Sequence, residues 1–239
     1  MAAPAPFERL VPRLITLIQE HRDPVRATAM ATYMRGQFPF AGIPAPKQKE
    51  LLRKALAGLA KPGQAELIDV SRALWVLDER EYQYAAIAVV IRNVRVCDAS
   101  FLPLVQELLT TKPWWDTVDA LASQVAGPIV AASPTLVSEM DAWSESRNLW
   151  LRRTAVLHQL TYKAHTDAGR LFRYCLALSG DGDFFIRTAI GWALREYSKT
   201  DADAVTRFVQ VHGEKLSGLS RREAMVRING GRKAPGRHD

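Results

Sequence analysis

The chain has 239 residues, 48% of them hydrophobic, enough for one large domain or one short solenoid with a sizeable core. Its 32 Lys and Arg against 25 Asp and Glu leave a net charge of +7, which suits a polyanion such as nucleic acid or an anionic membrane surface, and equally fits a basic soluble protein. Two distant cysteines, Cys97 and Cys175, and five scattered histidines exclude a disulfide framework and leave no legible metal cluster, so a reducing compartment is expected. The opening MAAPAPFERL has no apolar stretch before Arg9, so no signal peptide is expected, and no apolar run reaches the length of a membrane span.

Helical periodicity dominates, and strand-like alternation is nearly absent. In chain order the pattern predicts helices over 6–21, 24–37, 47–59, 64–76, 80–94, 99–110, 113–130, 134–144, 147–162, 167–178, 183–198, 202–212 and 220–229. Breaks fall at Asp23-Pro24, through Gly42 to Pro46, at Pro62-Gly63 and from Ser179 to Gly182. Thr111 is placed to cap the seventh helix, with Pro113 in its first turn; Ser220 with Glu223 reads as a capping box for the last. Residues 1–229 read as a single domain, and 230–239, rich in glycine and basic side chains, as a flexible tail.

Many helices of similar length with short connections suggest either a bundle or stacked helix pairs. Arg153-Thr154-Ala155-Val156 recurs 34 residues later as Arg187-Thr188-Ala189-Ile190. The same shift backwards lands on Asp119, and once more on Ala85. A helix repeated at this period indicates a HEAT-like or TPR-like stack. Equivalent helices then lie side by side, and Asp119, Arg153 and Arg187 occupy one ladder. Such a ladder is either a candidate site on the inner wall of a curved solenoid or a structural row of salt bridges.

The most unusual stretch is Thr110 to Ala120. Trp114, Val118, Leu121 and Val125 form its core-facing stripe, while Trp115 and Asp119, spaced i and i+4, share the strip beside it. An indole next to a carboxylate can hold a cation, by cation–π attraction and by charge; a half-buried Trp with a solvated Asp neighbour has the same spacing. In the helix from 183 to 198, Trp192 lies off the stripe of Ile186, Ile190, Leu194 and Tyr197, and Gly191 permits close approach of another backbone. Arg153 has apolar helical neighbours, so its held guanidinium can serve a phosphate or bridge to an acid such as Asp119.

Together KPWWDTVD, WLRRTAVL and FFIRTAIGWALREYSKT resemble the bacterial DNA-alkylation-repair (AlkD-like) glycosylase family. ATYMRGQFPFAGIPAP, ALWVLDEREYQYAAI and LSRREAM extend the likeness over almost the whole chain, in the family's order. The resemblance implies an all-α, HEAT-like helical-repeat solenoid whose concave face binds duplex DNA. It implies excision of cationic N3- and N7-alkylated purines, such as 3-methyladenine and 7-methylguanine, as a step of base excision repair. The family's catalytic aspartate falls on Asp119, its site tryptophans on Trp115 and Trp192, its site arginine on Arg153, and an N-terminal tyrosine near the site on Tyr33. Arg187 and Arg195 are further candidates for phosphates of the lesion strand. Hydrolysis of this bond needs water alone, so no metal or cofactor is expected. The expected partner is double-stranded DNA containing alkylated purines, with no membrane, met by a cytoplasmic monomer associated with the nucleoid when on DNA. The same basic groove would also suit a non-catalytic relative that binds distorted or branched DNA.

Overall fold

A computed structural model of the chain describes residues 5–230. Between loops, the described residues form α-helices, short 3-10 turns, a π-helical turn and an isolated bridge between Ala5 and Leu59. Of the tail expected at 230–239, all but Gly230 lies outside the described residues. No helix of the described chain is long and apolar enough to cross a membrane.

Two units make up the chain, divided at Leu104/Val105. The N-terminal unit holds α1 (Leu10–Glu20), α2 (Pro24–Tyr33), α3 (Ala45–Leu56), α4 (Gln64–Trp75) and α5 (Arg80–Asn93). Leu10, Leu14 and Ile18 recur at helical spacing along α1 and are buried with Leu51, Leu67 and Leu74. Asp23 caps α2 by accepting from the Val25 and Arg26 amides, with Pro24 in the first turn, where its missing N–H costs nothing. α2 stops at Tyr33 rather than 37, because Arg35 and Gly36 take positive φ (55° and 68°). α3 begins before the expected 47, because Pro46 also fits a first helical turn. The buried Glu81 carboxylate accepts from the amides of Ala41, Gly42 and Ile43 at 2.9–3.0 Å and so organises the loop before α3.

The division falls inside α6 (Leu102–Thr110). Beyond it come α7 (Trp115–Leu121), α8 (Gly127–Ala132), α9 (Val137–Ser144), α10 (Leu149–Leu157), α11 (Ala168–Ala177), α12 (Phe184–Tyr197), α13 (Ala202–His212) and α14 (Gly218–Met225). α7 packs on α10, α10 on α12 and α12 on α14, while α9 and α11 lie against α10, and α11 and α13 against α12. The capping residues repeat the pattern. Asn148, Asp183 and Ser217 cap α10, α12 and α14, and Asp167 and Asp201 cap α11 and α13, each through a side-chain oxygen accepting a first-turn amide. These are the stacked helix pairs that the recurring Arg-Thr-Ala segment indicated.

Three local expectations are corrected. α7 starts at Trp115, with extended Trp114 as its N-cap; Thr111 and Pro113 lie outside it because Lys112 takes φ 52°. The helix expected over 113–130 is interrupted by a π-helical turn, Ala122–Ala126, ahead of Gly127-Pro128. The last helix starts at Gly218, capped by Ser217; Ser220 lies inside it and donates to the Arg187 carbonyl at 2.8 Å, and Glu223 turns to Arg195 rather than to a cap.

Candidate functional site

Asp119 lies one turn after Trp115 on α7, so the two share a face. Val118 and Leu121 anchor the opposite side of that short helix in the core. Next to it, α10 presents Arg153, only 1% exposed. The guanidinium meets the carboxylate edge to edge: Nε donates to Oδ1 and Nη2 to Oδ2, both at 2.7 Å. Nη1 donates to the Phe185 carbonyl and to Thr188 Oγ1 on α12, the latter at 3.2 Å. Three successive helices of the stack are thereby joined through one buried arginine.

Asp119 keeps 23% of its side chain exposed. Burial pushes its carboxyl pKa above the ordinary 3.8, the Arg153 hydrogen bonds and charge pull it back, and nearby Asp116 adds a further upward push. The half-buried indole of Trp192, on α12, has its ring centre 5.4 Å from Arg153 Cζ. Below the guanidinium, Phe185 packs against Trp114 and Trp150 with ring centres 5.1 and 5.0 Å away. The site is an arginine-clamped carboxylate between tryptophan-bearing helices, backed by aromatic rings.

The helix following Asp119 is unusual. Ser123 Oγ donates to the Asp119 carbonyl at 2.7 Å, and the Gly127 amide reaches back five residues to Ala122, the π pattern. Pro128 has no amide to give to Gln124, so an unbroken α ladder is impossible here.

The structure therefore brings Trp115, Asp119, Arg153 and Trp192 onto adjoining helices. Of the two roles open to Arg153, the structure shows the bridge to an acid: the buried guanidinium donates to Asp119, Phe185 and Thr188. Arg187 does not join this cluster, its Nε donating instead to the Asp181 carbonyl at 3.0 Å. Its ladder neighbour is another arginine, so no carboxylate draws it in. Arg195 is tied to Glu223 at 2.6 Å. Tyr33 ends α2 in the N-terminal unit, 69% exposed. Thr188 and Phe185 were missed, although the repeated Arg-Thr-Ala segment marked Thr188's position. Gly191 does admit a close neighbour: a Cβ there would lie 2.4 Å from that of Glu223 on α14.

Stacked helix pairs, with one arginine–carboxylate pair joining successive helices, define a helical-repeat protein. The chain belongs to the DNA alkylation repair enzyme family, whose model matches residues 14–228. It is similar to a solved structure described as a predicted DNA alkylation repair enzyme from Enterococcus faecalis, with TM-score 0.79 and 33% identity, covering 85% of this chain and 95% of that one. No curated protein matches the chain. The family gives the protein a role in repair of alkylated DNA, and so a DNA partner.

Proposed function

We propose that the protein is a DNA glycosylase that hydrolyses the N-glycosidic bond of cationic N3- and N7-alkylated purines in duplex DNA. The observation that carries this reading is the partly exposed Asp119 carboxylate, fixed by two 2.7 Å hydrogen bonds from buried Arg153.

Alkylation at N3 or N7 puts a positive charge on the purine, which then leaves as a neutral base. Little acid catalysis is needed. The demand falls on the sugar, which develops oxocarbenium character as the bond breaks. A preoriented carboxylate meets that charge without reorganising during the reaction. In this reading Asp119 stabilises the sugar cation and orients the attacking water, whose oxygen bonds to C1′ while its proton passes to the carboxylate or solvent. Arg153 opposes the effect of burial and favours the ionised form of Asp119. Trp115 and Trp192 supply indole faces for the deoxyribose and the cationic nucleotide. Tyr33, Arg187 and Arg195 contribute to holding the strand, Arg195 after exchanging Glu223 for a phosphate. Water is the only co-reactant, so no metal or cofactor is required.

The test is release of 7-methylguanine and 3-methyladenine from methylated duplex DNA by wild type and Asp119→Asn, with binding measured alongside. Release by wild type, lost in the variant with binding retained, supports the glycosylase. Both oxygens of Asp119 already accept from Arg153, which is also the geometry of a purely structural ion pair. DNA binding by both proteins with release by neither would favour the non-catalytic reading.

A further inference from the structure

The stretch of chain that carries Arg153 also grips the π turn behind Asp119. Just beyond α10, Thr161 Oγ1 donates to the Ser123 carbonyl at 3.2 Å, and the Tyr162 hydroxyl donates to the Gly127 carbonyl at 2.6 Å. The Tyr162 ring stands edge-on to buried His158, with ring centres 5.9 Å apart. Gly127 itself is pressed against this segment: a Cβ there would lie 2.3 Å from the His158 carbonyl oxygen. The first residue of α8 is therefore held by two contacts from residues 158–162, while Asp119, two turns earlier, is held by Arg153 from the same helix and its extension.

A π turn accommodates one residue more than the α turn it replaces. Pro128 bars its relaxation to an unbroken α-helix, so a loosened turn is taken up as a shift of α7 against α8. Gly127 lies against His158, which makes α8 the held side of the turn. The shift falls on α7 and carries Asp119 off Arg153.

We infer that Tyr162, seconded by Thr161, is a positioning residue for Asp119: its hydroxyl on the Gly127 carbonyl holds the π turn and so keeps the carboxylate facing Arg153. The consequence for rate rests on the glycosylase reading. The positioning itself does not.

The test uses Tyr162→Phe, which removes the hydroxyl and keeps the ring on His158, with Thr161→Val as a second variant. Two quantities are measured well below the melting temperature of each protein. The first is the titration of the Asp119 carboxyl by carbon NMR; the second is single-turnover base release from methylated duplex as a function of pH. A carboxylate loosened from Arg153 loses both the contact that lowers its pKa and part of the burial that raises it. Tyr162→Phe should therefore shift the Asp119 pKa, move the acid limb of the rate profile by the same amount, and slow release by about tenfold, the equivalent of one hydrogen bond. DNA affinity should not change. A role confined to stability would lower the melting temperature and leave titration and profile in place. An Asp119 pKa identical in wild type and both variants overturns the inference, whatever the activity. Failure of wild type to release base ends the glycosylase reading and leaves the titration to decide the positioning.

Discussion

Arg153 holds Asp119 by both carboxylate oxygens at once, Nε on Oδ1 and Nη2 on Oδ2, across the contact between α10 and α7. Parallel hydrogen bonds of this kind set the plane of the carboxylate as well as its distance. A single ammonium cannot copy them. Arg153→Lys should therefore keep the charge and lose the orientation, lowering single-turnover base release by one to two orders of magnitude with DNA affinity little changed. Arg153→Ala should also destabilise the fold by about 3–5 kcal/mol in urea denaturation, since it leaves Asp119 without its counter-ion. Equal rates for Arg153→Lys and wild type would show that orientation does not matter.

Rate and stability should move in opposite directions with pH at Asp119. Its folded pKa is raised above 3.8, chiefly by burial. The stability it contributes is fully present below the unfolded pKa and is lost as pH rises through the folded value. The ionised form needed for catalysis is lost as pH falls through that same folded value. The acid limb of base release, corrected for spontaneous depurination, should thus lie above pH 3.8. A limb at or below 3.8 would assign the titration to some other group.

His158 sets a separate window. Burial lowers its pKa from 6.5 to about 4, and its Nδ1 lies 2.7 Å from the Ala155 carbonyl. A depressed folded pKa means that the unfolded chain takes up the proton first. Stability should fall on acidification from about pH 6.5 toward 4, on the order of 1 kcal/mol per pH unit. Denaturant titrations at pH 7, 6 and 5 should show this slope in wild type, and a flatter one in His158→Gln. Identical slopes would remove His158 from the account.

Gly191→Ala inverts the usual sign of a helical glycine replacement. In an open helix interior the change gains up to about 1 kcal/mol. Here the added methyl would lie 2.4 Å from Glu223 Cβ and 3.0 Å from the Ser220 carbonyl oxygen, backbone and stem that cannot swing aside. Overpacking of this kind costs about 1–3 kcal/mol. A lowered melting temperature is expected, together with loosening of α14 visible as faster amide exchange in Gly218–Met225. A raised melting temperature would mean that the α12–α14 contact yields easily.

Much of this was legible in the residues themselves. The Arg-Thr-Ala segments at 153 and 187 located α10 and α12, and stepping back by the same interval reached Asp119, which Arg153 indeed grips. What helical spacing could not decide was the job of that arginine. A phosphate contact and an interhelical ion pair need the same apolar-sided position, and only burial separates them. The π turn was invisible to periodicity, because one extra residue leaves the apolar pattern of Leu121, Val125 and Ile129 nearly intact. Gly127-Pro128 was its local trace, and the hydroxyls that hold it come from more than thirty residues away. Ser220 was expected to cap α14, but its hydroxyl is drawn to the Arg187 carbonyl on a neighbouring helix and Ser217 caps instead.

The carboxylate of Glu81 bears on the order in which the N-terminal unit assembles. It serves three amides of the 41–43 loop, 38 to 40 residues earlier in the chain. Those amides find no such acceptor within their own turn, and Gly42 sits at φ 88°, its Cα face against the Asp23 carbonyl. The loop's shape is thus a long-range contact disguised as a local one. Closing it carries the entropy of a forty-residue ring, so the link between α2 and α3 should set after α5 has formed, late in folding and early in unfolding.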